Sequence, residues 1–335
     1  MYQIYLRIFT FIEPINKAIQ IFKIGILTTA AEPEADRRLC EEAKKRNLEP
    51  HLIELLKCSM RVCIDEPKLY YNGRSINNEF DIVIPRIDIP YTEYGLAILR
   101  QFQAIDVYCT DIAYSIELGR DKLRCLQYLM RKDIPLPTTG FGYSKEDFDN
   151  IIKTVGGTPL IIKLIEGTEG IGVFLAENIR EAKNILNTFK KLDARIIVQE
   201  FVQESSGQDC RSFVVGDKIV ANMKRQSQNG DFRANVALGA CSFNEVISTE
   251  EENLIFRAVK AIGINIAGVD FIRSKRGPLI LEINTCPGFT GQEGIEEVTG
   301  INVAGAIIDY AIRKKHEYDK GKGVWLQQAV NAACN

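Results

Sequence analysis

Two apolar runs late in the chain, Ala267–Arg273 and Leu279–Asn284, constrain its fold more than any other feature. They flank Ser274–Pro278, and their lengths suit the two arms of a β-hairpin. With the hairpin centred near Arg276, Asp270 falls opposite Glu282. Strict alternation then puts Asn284 on the same face as Glu282. Like charges set directly opposite each other on a sheet are destabilising. Oxygen donors converging on one face are what Mg²⁺ requires, usually with phosphate oxygens completing its shell. A solvent-facing hairpin with dispersed carboxylates fits the same pattern, and the hairpin alone does not separate the two.

Upstream, strand and helix patterns alternate. Lys23–Thr29, Phe80–Pro85 and Val107–Thr110 read as buried strands, and Glu34–Arg46 and Tyr94–Phe102 as helices, which argues for an open α/β layer. A second module begins with the amphipathic helix Asp121–Lys132, ended by Pro135 and Pro137. Strands at Thr138–Tyr143, Pro159–Leu164 and Arg195–Phe201 follow, with one helix after the first and another at Ile179–Lys190. Beyond Gly207 the strands lengthen: Cys210–Val215 and Lys218–Lys224 flank the turn dipeptide Gly216–Asp217. Glu250–Ile262 and Ile301–Lys315 read as helices, and the tail after Glu317 as polar and frayed. The expected fold class is α/β. The expected division is an N-terminal extension over 1–22, an α/β domain over 23–117, two lobes over 118–199 and 200–318, and a polar tail over 319–335.

Composition removes several function classes. The formal net charge is -2, so no general basic surface offers itself to nucleic acid or to an anionic membrane. Met1–Phe22 is rich in Ile and Phe, but Glu13, Pro14, Asn16, Lys17 and Gln20 interrupt it, which argues against both a signal peptide and a membrane span. The chain has 9 Cys, none at CxxC spacing, and 2 His far apart. Reduced, buried thiols in a cytoplasmic protein fit better than a disulfide framework or a zinc site. A Ser-His or Cys-His hydrolase finds no support, and His51 and His316 read as surface residues.

Three further segments carry chemistry. Lys163 ends an apolar strand, and Gly167, Gly170 and Gly172 follow in GxxGxG order. Such glycines let backbone N–H groups approach phosphate oxygens while the lysine supplies a fixed charge, although a plain hairpin turn fits equally. Arg225 ends a strand, and Arg233 and Asn235 follow the turn at Gly230–Asp231; arginine suits bidentate phosphate contacts, and a solvated loop is the ordinary alternative. Glu200 and Phe201 end a strand where their backbone can meet an adenine edge, with Asp209 beyond for a ribose, although nothing local demands this and a core strand is the ordinary reading. Arg86, after the strand FDIVIP, is a candidate for a substrate carboxylate or for a structural tie at a domain junction.

Taken in order, these segments resemble the ATP-grasp superfamily. Whole phrases resemble its RimK branch: IPRI (Ile84–Ile87), LRQF (Leu99–Phe102), RDKLR (Arg120–Arg124), VGGTPLIIKLIEGTEGIGV (Val155–Val173), VQEF (Val198–Phe201), GDFRAN (Gly230–Asn235), AGVDFIRSKRGPLILEIN (Ala267–Asn284) and Pro287–Gly288. The resemblance spans about Lys23 to Lys315. It implies a pre-ATP-grasp domain followed by a two-lobed ATP-grasp domain. It also implies an ATP-dependent, ADP-forming carboxylate–amine ligase working through an acyl phosphate.

Carried over residue by residue, the resemblance gives Lys122 and Lys163 to the ATP phosphates, with the loop Gly167, Gly170 and Gly172 closing over them. Glu200 and Phe201 hold the adenine and Asp209 the ribose. Arg225, Arg233 and Asn235 face the γ-phosphate and the acyl phosphate, with Ala234 lining the nucleotide between them. Asp270, Glu282 and Asn284 bind two Mg²⁺ ions, for which Mn²⁺ can substitute. The implied substrates are L-glutamate and the C-terminus of a small-subunit ribosomal protein, added singly or as poly-glutamate. A small-molecule ligase of the same branch and an inert ATP-binding module are the rival readings. The implied assembly is a homo-oligomer, a tetramer, without direct nucleic-acid or membrane binding. The chain departs from the family pattern at Val236–Cys241, where a basic residue and paired glycines are expected, and in a longer loop at Phe289–Glu297.

Overall fold

The computed structural model describes residues 21–29, 33–165, 167 and 170–321. The expected extension, apart from its last two residues, and the tail beyond residue 321 lie outside them.

The first domain runs β1 (Lys23–Thr28), α1 (Glu34–Lys45), β2 (Glu49–Glu54), β3 (Cys58–Arg61), β4 (Lys68–Tyr71), β5 (Arg74–Ser75), β6 (Ile82–Arg86), α2 (Thr92–Ala104) and β7 (Tyr108–Cys109). Its main sheet has the order β2-β1-β6-β7, with every pair parallel. β1 and β6 read as near-continuous apolar runs because helices and other strands cover both their faces. The small antiparallel sheet β3-β4-β5 escaped the sequence reading, since its strands are short and bury only Cys58 and Leu69.

Two helices, α3 (Ala113–Arg120) and α4 (Lys122–Met130), lead into a central lobe. Asp121 caps α4, its side chain accepting from Arg124 N at 2.9 Å. The lobe contains β8 (Thr139–Gly140), α5 (Phe148–Thr154), β9 (Leu160–Leu164), β10 (Val173–Ala176), α6 (Ile179–Lys191) and β11 (Ile196–Glu200), in the antiparallel order β10-β9-β11-β8.

The C-terminal lobe contains β12 (Gln208–Val215), β13 (Lys218–Gln226), β14 (Cys241–Asn244), α7 (Thr249–Ile262), β15 (Ile266–Ser274), β16 (Gly277–Asn284), α8 (Ile295–Thr299) and α9 (Val303–Lys320). Its sheet is antiparallel in the order β14-β13-β12-β15-β16. α9 continues past the fraying point expected from sequence. Tyr318 is buried against Tyr108, with ring centroids 5.6 Å apart, and Lys315 pairs with Asp319 at 2.6 Å. A polar sequence ended the helix on paper, whereas a buried aromatic face extends it in the fold.

Core packing divides the molecule differently from chain order. One cluster joins Leu27, Val83 and Phe102 to Val259, Val269 and Phe271. A second joins Ile24, Ile26 and Leu39 to Phe213, Val303 and Ile307. The first domain and the C-terminal lobe therefore share two cores. The central lobe has its own, built from Phe148, Ile152, Leu160, Ile162, Leu186 and Val198. Four of the thiols, Cys58, Cys109, Cys125 and Cys210, are buried and unbridged, and His51 and His316 are exposed, as the composition led us to expect. Among the described residues, no helix is long and apolar enough to cross a membrane.

Candidate functional site

A cleft of about 950 Å³, mouth included, runs between the central sheet and the five-stranded sheet. Its floor is one face of the five-stranded sheet. Arg225 on β13 lies opposite Asp209 on β12, Arg211 on β12 opposite Asp270 on β15, and Asp270 opposite Glu282 on β16. Asp209 and Arg211 are two apart on one strand, so the whole row shares a face.

The Asp270–Glu282 register is the expected one, reached by a different route. The turn holds only Lys275 and Arg276, and from Ser274↔Gly277 to Phe271↔Ile280 the pairing would carry Asp270 opposite Leu281. A β-bulge between Asp270 and Phe271 of the ladder adds one residue on β16 and brings Glu282 into line. Bulges of this kind re-aim side chains beside functional sites.

The like charges on this face are compensated by two arginines. Arg211 donates to both oxygens of Asp270, at 2.6 and 2.7 Å. Arg225 donates to both oxygens of Asp209, at 2.7 and 2.6 Å, and reaches Asp270 Oδ2 at 3.0 Å. Burial pushes the Asp270 carboxyl up, but Arg211 and Arg225 more than reverse it and hold it down at about 2. For Asp209, burial wins over Arg225, aided by the nearby Asp270, and its carboxyl lies above the usual range. Arg211 was not singled out from sequence. Its signal was there: a charge two residues after Asp209, inside the otherwise apolar strand that runs to Val215.

The roof comes from the central lobe and the start of α4. Lys163 on β9 donates to Gln199 Oε1 at 2.7 Å, and burial pulls its ammonium below the ordinary lysine range, against the opposing pull of Glu282. Gln199, itself buried, is a second residue missed by the sequence reading. Lys122 donates to Gly167 O at 2.6 Å and faces Glu282 Oε2 at 3.8 Å. Arg233 is clasped by Asp231 at 2.8 Å and donates to Gly170 O at 3.3 Å. Gly170 and Gly172 have φ of +77°, and a Cβ on Gly170 would come within 2.6 Å of Asn235 Oδ1. The glycine segment forms the β9–β10 hairpin loop, and its backbone also comes close to the Arg233–Asn235 segment.

Lys122, Lys163, Gly167, Gly170, Glu200, Phe201, Asp209, Arg225, Arg233, Ala234, Asn235, Asp270 and Glu282 all line this cleft, although they come from both lobes and the connection between them. Asn284 joins the floor by donating to Asp270 Oδ2 at 3.3 Å. Gly172 stands at the foot of the loop, where its carbonyl accepts from Leu164 N at 3.0 Å. Arg86 lies elsewhere. It donates to Asp36 Oδ1 at 3.2 Å and to Pro287 O at 2.8 Å, and stands 5.5 Å from the Phe289 ring centre. That is a tie between the first domain and the segment after β16.

The floor suits a hard divalent cation. Glu282 is partly open to the cleft, Asn284 offers an amide oxygen beside it, and Asp270 keeps carboxylate lone pairs beyond those used by its arginines. Among the described residues, no three His, Cys, Asp or Glu side chains converge as a metal cage. An amide donor and ligand oxygens must complete the shell, as is usual for Mg²⁺. With cations from both lobes above it, the site can bind a polyphosphate and balance charge that moves during phosphoryl transfer.

Comparison with known proteins agrees with this geometry. Residues 119–311 match a RimK-like ATP-grasp domain, and residues 22–116 a RimK PreATP-grasp domain. The chain is 47% identical over 288 residues to a probable alpha-L-glutamate ligase 1 of Shewanella sp. (strain MR-4), covering 86% of this chain and 94% of that one. It is 46% identical, with the same coverage, to a probable alpha-L-glutamate ligase of Picosynechococcus sp.. Among solved structures, a RimK domain ATP-grasp protein from Sphaerobacter thermophilus superposes with a TM-score of 0.65 at 20% identity, covering 86% of this chain and 99% of that one. The ATP-grasp ligase PsnB complexed with a minimal precursor gives 0.68 at 17% identity, covering 86% and 98%.

Proposed function

Since this chain belongs to the RimK-like ATP-grasp family and is an ATP-dependent ligase, we propose that it adds L-glutamate to the C-terminus of a small-subunit ribosomal protein through an acyl phosphate. The observation that carries the chemistry is the meeting of Lys122 and Lys163 with the Asp270, Glu282 and Asn284 face across one cleft. The names of the relatives support the choice of glutamate.

In this reading Lys163 and Lys122 take the triphosphate, and the Gly167–Gly172 loop covers it. Glu200 and Phe201 hold the base, and Asp209 the ribose. Asp270, Glu282 and Asn284 would hold two Mg²⁺ ions, which would supply charge neutralisation on the phosphates. The acceptor carboxylate attacks the γ-phosphorus and ADP leaves. The glutamate amine then attacks the acyl carbon, phosphate leaves, and the amine gives up a proton as the amide forms. Arg225, Arg233 and Asn235 stabilise the charge on the transferring group. Arg86 is left out of the substrate set, because Asp36 and Pro287 O already hold its guanidinium away from the cleft, and Arg86→Ala is expected to leave the KM for glutamate unchanged.

The test is ADP release with ATP, Mg²⁺ and L-glutamate, with and without the ribosomal protein, followed by the protein's intact mass. ATP-dependent mass steps of one glutamate residue are expected. ADP release without a mass change would move the acceptor to a small molecule or to glutamate itself. Absence of ADP release under every condition would overturn the ligase reading.

A further inference from the structure

The hairpin that carries the metal-ligand face does something else at its other end. Its turn, Lys275–Arg276, abuts the segment joining the central lobe to the C-terminal lobe. Arg276 Nη2 donates to Glu200 Oε1, the same oxygen that accepts from Thr138 N at 2.7 Å. Lys275 N donates to Glu204 Oε1 at 2.8 Å, and Ser205 Oγ donates to Arg273 O. Glu200 and Glu204 are thus fastened to the turn itself, and Ser205 to Arg273 at the end of β15 beside it. The turn is itself braced, with Ser274 Oγ donating to Gly277 O at 2.7 Å and accepting from Arg276 N at 3.1 Å.

Phe201, Val202 and Ser205 of this fastened segment line the cleft. Oε1 of Glu200 is shared by Thr138 N and Arg276 Nη2, which fixes the side chain and with it the strand end that leads into Phe201. At the far end of the same ribbon stand Asp270, Glu282 and Asn284. Six residues separate Arg276 from Glu282, roughly 20 Å of strand at ~3.3 Å per residue. One stiff ribbon therefore touches both ends of the cleft.

We propose that Arg276 is a positioning residue that sets the base-binding end of the site by holding Glu200 and the Phe201–Ser205 segment against the hairpin turn. This rests on the reading of the cleft as an ATP site. Arg276 acts on nucleotide affinity and base selectivity, through Glu200, and makes no contact with the reacting atoms. Its side chain is 55% exposed, so its removal leaves the core untouched.

The experiment uses the full chain with Arg276→Ala and Arg276→Lys. It measures KM and kcat for ATP and GTP by nucleoside diphosphate release, and direct binding of a fluorescent ATP analogue. In Arg276→Ala the KM for ATP is expected to rise about two- to fivefold, as befits one exposed ion pair, with a smaller change in kcat and a reduced preference for ATP over GTP. Arg276→Lys should recover part of the loss. Glu200→Gln combined with Arg276→Ala should be no worse than the worse single variant, because both break one contact. Unchanged KM and binding in Arg276→Ala, or a fall in kcat alone, overturns the proposal. A wild-type enzyme that neither binds nor hydrolyses ATP overturns both the proposal and the reading beneath it.

Discussion

The central lobe and the platform beneath it use the same strands and helices but hold their cores differently. The central lobe encloses Leu160, Ile162, Leu186 and Val198 within itself. The platform is one body made from the two ends of the chain, with Ile26 and Phe213 in one core and Phe102 and Phe271 in the other. Each carries part of the site: Lys163, Gln199 and the glycine loop above, and the Arg211–Asp270–Glu282 row below. The central lobe keeps most of its apolar surface in its own core and meets α4 through the small cluster of Leu126, Ile165 and Ile197, whereas the two modules of the platform share whole cores. The difference assigns adjustable parts to the roof and fixed charges to the floor.

Four experiments test this contrast. The largest effect is expected on the floor. Glu282→Gln should lower kcat on the order of 10²–10³-fold, with a small change in Tm because its side chain is 33% exposed. Near-normal ADP release would transfer the chemistry to the roof. Next come the cores. Phe271→Ala and Ile162→Ala should each cost several kcal/mol, about 3–5 for the phenylalanine and 2–5 for the isoleucine. Hydrogen exchange should show the loss throughout the platform for Phe271→Ala, but confined to the central lobe for Ile162→Ala. Equal spread in both would erase the distinction.

The third effect concerns the seam of the platform. Asp111, between β7 and α3, accepts from Asn265 N at 2.7 Å, and burial raises its carboxyl to about 7. A raised folded pKa favours the protonated form, so its contribution is full below about pH 4 and is lost as pH rises through about 7. Asp111→Asn lacks that slope. Between pH 5 and pH 8 its stability relative to wild type should improve by about 2–3 kcal/mol, readable by chemical denaturation; a constant difference would contradict the shift. The smallest effect is at α7, which packs within the platform. Ser248→Ala removes a capping box closed by Glu251 and should cost about 1 kcal/mol, seen as a lowered Tm with unaltered KM for ATP.

Much of the molecule was legible in the order of residues. β1, β6, β9, β11 to β13, β15 and β16 fall close to the runs read as strands, because buried strands are short, apolar and β-branched. The strands missed were β2, β10 and β14, at sheet edges, and the small sheet β3 to β5; these are short, and all but β10 carry little apolar signal. Lys163 and its glycines, and the Asp270, Glu282 and Asn284 set, stood out because their chemistry is confined to a few adjacent residues. Gln199 and Arg211 did not. Gln199 looks ordinary in its own strand, and Arg211, although a charge within an apolar run, acquires its meaning only opposite Asp270.

The sequence by itself therefore determined the local elements, the fold class and the donor types, since these follow from periodicity, turn residues and side-chain chemistry within short windows. Tertiary structure decided the rest. It joined the first and last thirds around common cores, placed Arg211 and Arg225 against the carboxylates, and inserted the bulge that sets Asp270 opposite Glu282. It also clamped Glu200 with an arginine 76 residues away. These pairings depend on which surfaces bury each other, and that is a property of the whole packed chain.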